Sequence, residues 1–202
     1  MKRIFLTVLV ALSTIFSYAQ HAPKTLTLQP KVGINNASIT DEDMGDPRTG
    51  LAVGGELEYQ ATDMVSVSTG LLYSMQGMKG EFAGIKETMK LDYINIPIMA
   101  NVYVIKGLAV KLGLQPGFMV NNKMKAKQGS ASVEVGVEDV LREAGINSSL
   151  NKLDLSIPIG VSYEYKNFVI DGRYNWGITK IIKEADGKNS VFQFTLGYKF
   201  EL

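Results

Sequence analysis

The dominant pattern along the chain is an alternation of apolar and polar residues with a period of two. It is clearest in the last segment, where the residues between the apolar positions are mostly polar or small. Those apolar positions are Phe192, Phe194, Leu196, Tyr198, Phe200 and Leu202. A period of two is that of a β-strand whose two faces lie in different environments. The C-terminal segment is therefore predicted to be such a strand.

Seven earlier segments repeat the alternation, and each approaches the ~9–11 residues that a tilted strand needs to cross a bilayer. They lie at residues 26–34, 51–59, 65–75, 94–102, 108–118, 155–164 and 168–176. Short connections at 61–63, 105–107 and 166–167 alternate with long ones at 36–49, 77–89, 121–152 and 178–189. Outer-membrane barrels combine short periplasmic turns with long extracellular loops in this way. The predicted fold is all-β, an eight-stranded antiparallel up-and-down transmembrane β-barrel.

Four prolines lie inside these predicted strands, namely Pro30, Pro97, Pro116 and Pro158. Proline cannot donate a hydrogen bond to a β-ladder, and a closed barrel has no free edge at which this would be harmless. We expect the four prolines to mark bulges or strand ends.

Aromatic residues fall into two groups along the predicted strands. Near the short turns and the termini lie Tyr59, Tyr103, Tyr163, Tyr165, Phe168, Tyr198 and Phe200, and near the long loops lie Tyr73, Phe118, Tyr174, Trp176, Phe192 and Phe194. Two aromatic belts are typical of a barrel that meets water on both sides of a membrane. The alternative is a soluble sheet with scattered aromatic residues, since strands favour them in any setting.

The N-terminal segment has the features of an export signal. Lys2 and Arg3 precede an apolar run at residues 4–16, and small residues at Ser17 and Ala19 predict cleavage after Ala19. The apolar run is shorter than the ~20 residues of a spanning helix. We expect a signal peptide at residues 1–19, a barrel domain at 20–202 and a location in the outer membrane.

Composition excludes several kinds of chemistry. The chain has no cysteine, so disulfides, thiolate metal sites and a lipoprotein anchor are unavailable. Its formal net charge of +1 becomes −1 without Lys2 and Arg3, which gives no indication of nucleic-acid binding. His21 is the only histidine. The acidic run at residues 41–46 lacks the glycine position and distal glutamate of a calcium loop. We therefore predict no catalytic, cofactor or metal residues, and no enzyme.

Six short motifs resemble those of the PorT-like outer-membrane β-barrel family of Bacteroides-type bacteria. They are residues 31–35 (KVGIN), 72–77 (LYSMQG), 91–97 (LDYINIP), 113–117 (GLQPG), 171–177 (DGRYNWG) and 196–200 (LGYKF). They occur in the family's order across the mature chain. The resemblance implies an outer-membrane barrel of about eight strands and no particular activity, although a minority of the family serves protein secretion.

Charged residues lie on the predicted inward faces, with acids and bases nearly balanced. They are Lys31, Glu56, Glu58, Lys111, Glu164, Asp171, Arg173, Lys199 and Glu201. A barrel of eight strands is just wide enough for side chains to fill. Because buried charges must be paired, we expect an ion-pair network that fills the lumen rather than an ion path.

Two features of the third long loop carry further expectations. Lys123, Lys125 and Lys127 continue the strand period, either as a solvated edge or as a contact with anionic lipopolysaccharide. Residues 137–144 have helical spacing, with Glu138 and Arg142 four residues apart, and Gly145 is a suitable C-cap. This short helix is expected to pack on the barrel mouth; the alternative is a helix that binds a partner.

The first hypothesis for function is a barrel with a plugged polar lumen, four long extracellular loops and a structural or surface-interaction role. The second is a component of an outer-membrane transport or secretion system. The third is a soluble periplasmic barrel that binds a small apolar ligand. The expected partners are outer-membrane lipid, lipopolysaccharide and, through the C-terminal strand, the barrel-assembly machinery.

Overall fold

The computed structural model describes residues 21–40, 45–82, 84–129, 131–145 and 148–202, so the predicted signal peptide and its cleavage site lie outside the described residues. The elements in this part of the chain are β1 (Leu26–Ile39), β2 (Asp46–Gln60), β3 (Val65–Phe82), β4 (Ile85–Asn95), β5 (Ile98–Ile105), β6 (Leu108–Gln128), β7 (Ala131–Gly136), α1 (Val137–Glu143), β8 (Leu153–Tyr165), β9 (Phe168–Lys180), β10 (Lys188–Tyr198) and β11 (Phe200–Glu201).

Antiparallel neighbours form a ring of eight strands. The sheet runs from β10 through β9, β8, β6, the β4–β5 pair, β3 and β2 to β1. The register from Lys31–Gly197 to Ile39–Asn189 joins β1 to β10 and closes the ring. One ring position is shared by β4 and β5, and another is shared by β10 and β11. β7 extends the sheet beside β6. The chain therefore has an all-β, antiparallel, up-and-down barrel-like fold.

The four prolines lie where ladders between strands are interrupted. Pro97 separates β4 from β5 and lies near Pro116, between the pairs Asn95–Gly117 and Ile98–Leu114. Pro158 falls in the gap of the β6–β8 ladder between Ile159 and Ser156. Pro30 faces the break between β10 and β11. Each proline thus occupies a place where a missing N–H disrupts little pairing.

The strands are longer than predicted, and two of the predicted loops, at 36–49 and 77–89, are mostly strand. β3 and β4 pair out to Phe82 and Ile85, so the predicted loop at 77–89 is a hairpin. The predicted loops at 36–49 and 178–189 shrink to connections at 40–45 and 181–187. β6 has 21 residues, which at a rise of ~3.3 Å per residue is about 70 Å. Because a tilted strand needs only ~9–11 residues to cross a bilayer, β3 and β6, with 18 and 21 residues, are longer than one crossing requires.

The two faces of the ring are sharply different. Lys111 is 3% exposed and its neighbour Leu112 is 55% exposed. Of the predicted belt residues, Tyr73 and Tyr174 are partly buried and the rest are exposed, except for Tyr103. The placement of Tyr103 in a belt was wrong, because its side chain follows Asn101 and Met99 on the inward face of β5. An apolar exterior around a polar interior also contradicts the hypothesis of a soluble barrel with an apolar lumen.

An apolar cluster fills the ring at the end opposite the termini. Val137 of α1 packs there with Leu91, Tyr93, Leu150 and Ile181. The helix ends as predicted, since Gly145 has a φ of +74° and its N–H donates to the Arg142 carbonyl at 3.1 Å. Arg142 pairs with Asp139 rather than with the predicted Glu138. The helix therefore packs on the mouth, as expected.

No helix among the described residues is long and apolar enough to span a membrane.

Candidate functional site

A cluster of five charged side chains occupies the middle of the ring. Alternation on four different strands directs them to the lumen: Lys31 on β1, Glu56 on β2, Lys111 on β6, and Asp171 and Arg173 on β9. All five are at most 3% exposed. We call these five residues the central cluster.

Every carboxylate of the central cluster contacts more than one base. Glu56 lies 2.9 Å from Lys31 Nζ, 3.0 Å from Arg173 Nη2 and 3.7 Å from Lys111 Nζ. Asp171 accepts hydrogen bonds from Lys111 Nζ at 2.7 Å and from Arg173 Nε at 2.9 Å. Because each charge has a close partner, the cost of burying these groups is offset within the cluster. Three bases surround two acids, so the cluster carries a formal charge of +1.

A second cluster lies nearer the termini and is centred on Lys199. The ammonium is 2.9 Å from Glu58 Oε2 and 3.0 Å from Glu164 Oε2. Tyr103 Oη accepts a hydrogen bond from Lys199 at 2.9 Å and donates one to Glu58 at 2.6 Å. Ser66 also donates to Glu58, at 2.5 Å. Two acids around one base give this terminal cluster a formal charge of −1, which offsets that of the central cluster.

His21 adds a titratable group to the terminal cluster. Its Nε2 lies 3.1 Å from Glu164 Oε1, and its Nδ1 lies 3.7 Å from the exposed Glu201. The hydrogen bond to Glu164 outweighs partial burial and raises the pKa of His21 above its ordinary value of 6.5. Protonation of His21 would bring the terminal cluster to neutrality.

The structure divides the nine predicted inward charges between these clusters, with one exception. Lys31, Glu56, Lys111, Asp171 and Arg173 form the central cluster. Glu58, Glu164 and Lys199 belong to the terminal cluster. Glu201 is the exception, because it lies in β11, after the strand is interrupted at Lys199, and its side chain is exposed.

Sequence reasoning missed polar contacts nearer the end of the ring opposite the termini. Arg48 Nη1 lies 3.1 Å from Asp92 Oδ1, and Asn121 donates to Asp92 at 2.8 Å. Asn189 donates to Asp154 at 3.2 Å. Arg48 and Asn189 lay inside segments predicted to be loops, so their alternation was not interpreted as strand.

The arrangement suits charge pairing rather than metal binding. Among the described residues there is no group of three or more His, Cys, Asp or Glu side chains that could hold a metal ion. The carboxylates of the central cluster face ammonium and guanidinium groups, which compete with any added cation.

Comparison with solved structures identifies similar folds. The chain matches Ail, the attachment invasion locus protein of Yersinia pestis, with a TM-score of 0.53 and 15% identity over 88% of this chain and 99% of Ail. Ail in complex with the heparin analogue sucrose octasulfate gives a TM-score of 0.52, 16% identity and the same coverage. Neisserial surface protein A gives 0.47 and 14% identity over 88% of this chain and 97% of that one. At these identities the likeness to Ail concerns the fold alone.

No curated protein matches the chain in sequence. The sequence model of one family does match, over residues 18–183, and its description is "Outer membrane protein beta-barrel domain". This match covers most of the chain and agrees with the apolar exterior, the polar lumen and the closed ring. The chain belongs to the family of outer membrane protein β-barrel domains.

Proposed function

We propose that the protein is a plugged, non-catalytic barrel of the outer membrane that acts through its extracellular surface rather than as a pore. The observation that carries this proposal is the central cluster. Its side chains come from four strands and meet across the lumen at distances of 2.7 to 3.9 Å.

Ring size supports the same conclusion. Eight strands leave an interior just wide enough for side chains, whereas aqueous channels require 16–18 strands or so. The guanidinium of Arg173 donates to Glu56 and Asp171 at once, which fixes it in the middle of the lumen. The terminal cluster fills a second level, and the apolar cluster around Val137 fills the opposite mouth.

The extracellular hairpins are the part of the protein best placed to meet other molecules. β3, β4 and β6 extend past the outward apolar residues, and β7 and α1 are attached to them. From the six PorT-like motifs we predict that the chain belongs to the PorT-like family. The C-terminal strand, where Tyr198 and Phe200 are exposed, is the segment we expect the barrel-assembly machinery to bind.

Single-channel recording of the refolded protein in planar bilayers tests the plug. Wild type is expected to show no stable, sizeable steps at neutral pH. Arg173→Ala should raise the conductance because it removes the central guanidinium, whereas Lys183→Ala, at an exposed loop position, should not. Stable large steps from wild type would contradict the proposal.

A further inference from the structure

One face of the projecting sheet is lined with lysines. The β4–β6 register pairs Lys86 with Lys127, Thr88 with Lys125, and Lys90 with Lys123. The β3–β4 register places Lys79 opposite Thr88. Directly paired residues of antiparallel strands point to the same side of a sheet. Six lysines therefore share one side, which we call the lysine face: Lys79, Lys86, Lys90, Lys123, Lys125 and Lys127.

The lysine face points away from the mouth of the barrel. Met89 and Met124 alternate with these lysines along β4 and β6, and both methionines pack against the apolar cluster inside the mouth. Since successive side chains on a strand point to opposite sides, the lysines point outward. They lie on the same outer side as the lipid-facing residues of the ring.

Position along β6 places this face next to the membrane surface. The outward residues Leu112, Leu114, Phe118 and Val120 are all exposed and apolar. Lys123 follows Val120 by three residues, which is ~10 Å along the strand and about 7 Å along the membrane normal at a strand tilt of ~45°. The headgroup layer outside each side of the hydrocarbon core is roughly 5–8 Å thick. The lysine face therefore begins at the height of the outer-leaflet headgroups.

Acidic residues neutralise only half of this charge. Asp46, Glu81 and Glu134 lie on the same side of the sheet, opposite Lys79, Lys86 and Lys125 respectively. Six bases and three acids give +3, whereas the whole chain has a net charge of +1, so the rest of the chain sums to −2. Glu134 pairs with Lys90 and lies 4.0 Å from Lys125.

Lysines also face one another across the β4–β6 pair. Lys86 lies directly opposite Lys127, and Lys90 directly opposite Lys123. Like charges in directly opposed positions destabilise a sheet. Within the described residues, Lys86, Lys123 and Lys127 make no ion pair with an acid of the chain. Such an arrangement is unfavourable in the protein alone and becomes favourable when an external anion bridges the ammonium groups.

We propose that the lysine face binds the phosphate groups of an anionic glycolipid in the outer leaflet beside the barrel. Strands 4.7–4.9 Å apart with a two-residue repeat of ~6.6 Å form a grid of ammonium groups, and ammonium groups bind phosphate as point charges. The proposal rests on the proposed function only in requiring that the barrel spans the membrane.

Calorimetric titration of the refolded protein in zwitterionic detergent with diphosphorylated lipid A tests this inference. The test variant is Lys86→Gln/Lys123→Gln/Lys127→Gln. The matched control is Lys24→Gln/Lys106→Gln/Lys166→Gln, which removes three exposed charges at the opposite end. At about 1 kcal/mol per lysine near an anionic surface, the test variant should bind on the order of 100-fold more weakly. The control should bind like wild type.

Two further measurements keep the inference separate from the proposed function. Without lipid A, the test variant should be as stable as wild type or more stable, because like-charge repulsion is removed. Dephosphorylated lipid A should bind the wild type as weakly as diphosphorylated lipid A binds the test variant. Equal binding of the two lipids, equal loss in the control variant, or equal affinity for inorganic pyrophosphate would overturn the inference. Failure of wild type to remain folded in detergent would instead overturn the membrane-spanning barrel itself.

Discussion

Arg173 Nη2 lies 3.0 Å from Glu56 Oε1 and thereby joins β9 to β2, two strands that are not neighbours in the ring. The same guanidinium donates to Asp171 through Nε at 2.9 Å. Removal of Arg173 would therefore take a close partner from two buried carboxylates, Glu56 and Asp171, at once.

Replacement of Arg173 by alanine should lower the free energy of unfolding by ~3–5 kcal/mol, the usual cost of breaking a buried ion pair from one side. Urea unfolding in lipid vesicles, followed by heat-dependent gel mobility, measures this. Arg142→Ala is the control, because Arg142 is exposed and its ion pair within the described residues is with the exposed Asp139; its effect should stay within ~0.5 kcal/mol. Equal effects of the two substitutions would contradict the role assigned to the central cluster.

Leu112 provides a test of which surface faces lipid. It is 55% exposed on the outside of β6, and an arginine near the bilayer midplane costs ~2–4 kcal/mol. Leu112→Arg should lower stability in vesicles by that amount. Val133→Arg makes a comparable change at an exposed position on β7, beyond the lipid, and should have little effect. If Leu112→Arg folds in vesicles as stably as Val133→Arg, the outward face is not in lipid.

His21 should make stability depend on pH. Its pKa is raised in the folded protein, chiefly by the hydrogen bond to Glu164, so folding favours the protonated ring. The stabilisation is fully present below the ordinary pKa of 6.5 and is lost as the pH rises through the raised, folded-state pKa. Unfolding of wild type should therefore become easier as the pH rises above the ordinary pKa of 6.5. His21→Gln should lack this part of the pH dependence, and an unchanged profile would show that the contact contributes nothing.

Alternation sorted the side chains of each strand into two faces, and the aromatic belts and the export signal indicated that the polar face lies inward. Lys31, Glu58 and Asp171 could each be assigned to the lumen because the nearest outward positions are apolar. Alternation did not predict which of these side chains would form ion pairs, because that depends on the register between neighbouring strands. The gaps at Pro97 and Pro158 change this register locally.

The extent of the hairpins was harder to predict for a different reason. Beyond the membrane both sides of a strand face water or other loops, so the contrast between apolar and polar positions fades. Residues 77–89 contain three glycines and four charges and suggested a loop, yet they pair as β3 and β4. Only Lys123, Lys125 and Lys127 retained a visible period there, and they do lie in β6.

Lys199, which lies between β10 and β11, has a consequence for the order in which the protein assembles. Glu58 and Glu164 belong to strands made earlier in the chain, and the ammonium that neutralises them arrives with the last strand. Until β10 reaches β1, these carboxylates have to keep their hydration. Pairing of β10 with β1 and loss of water from this level of the lumen therefore occur together. A ring that is not yet closed would remain hydrated there.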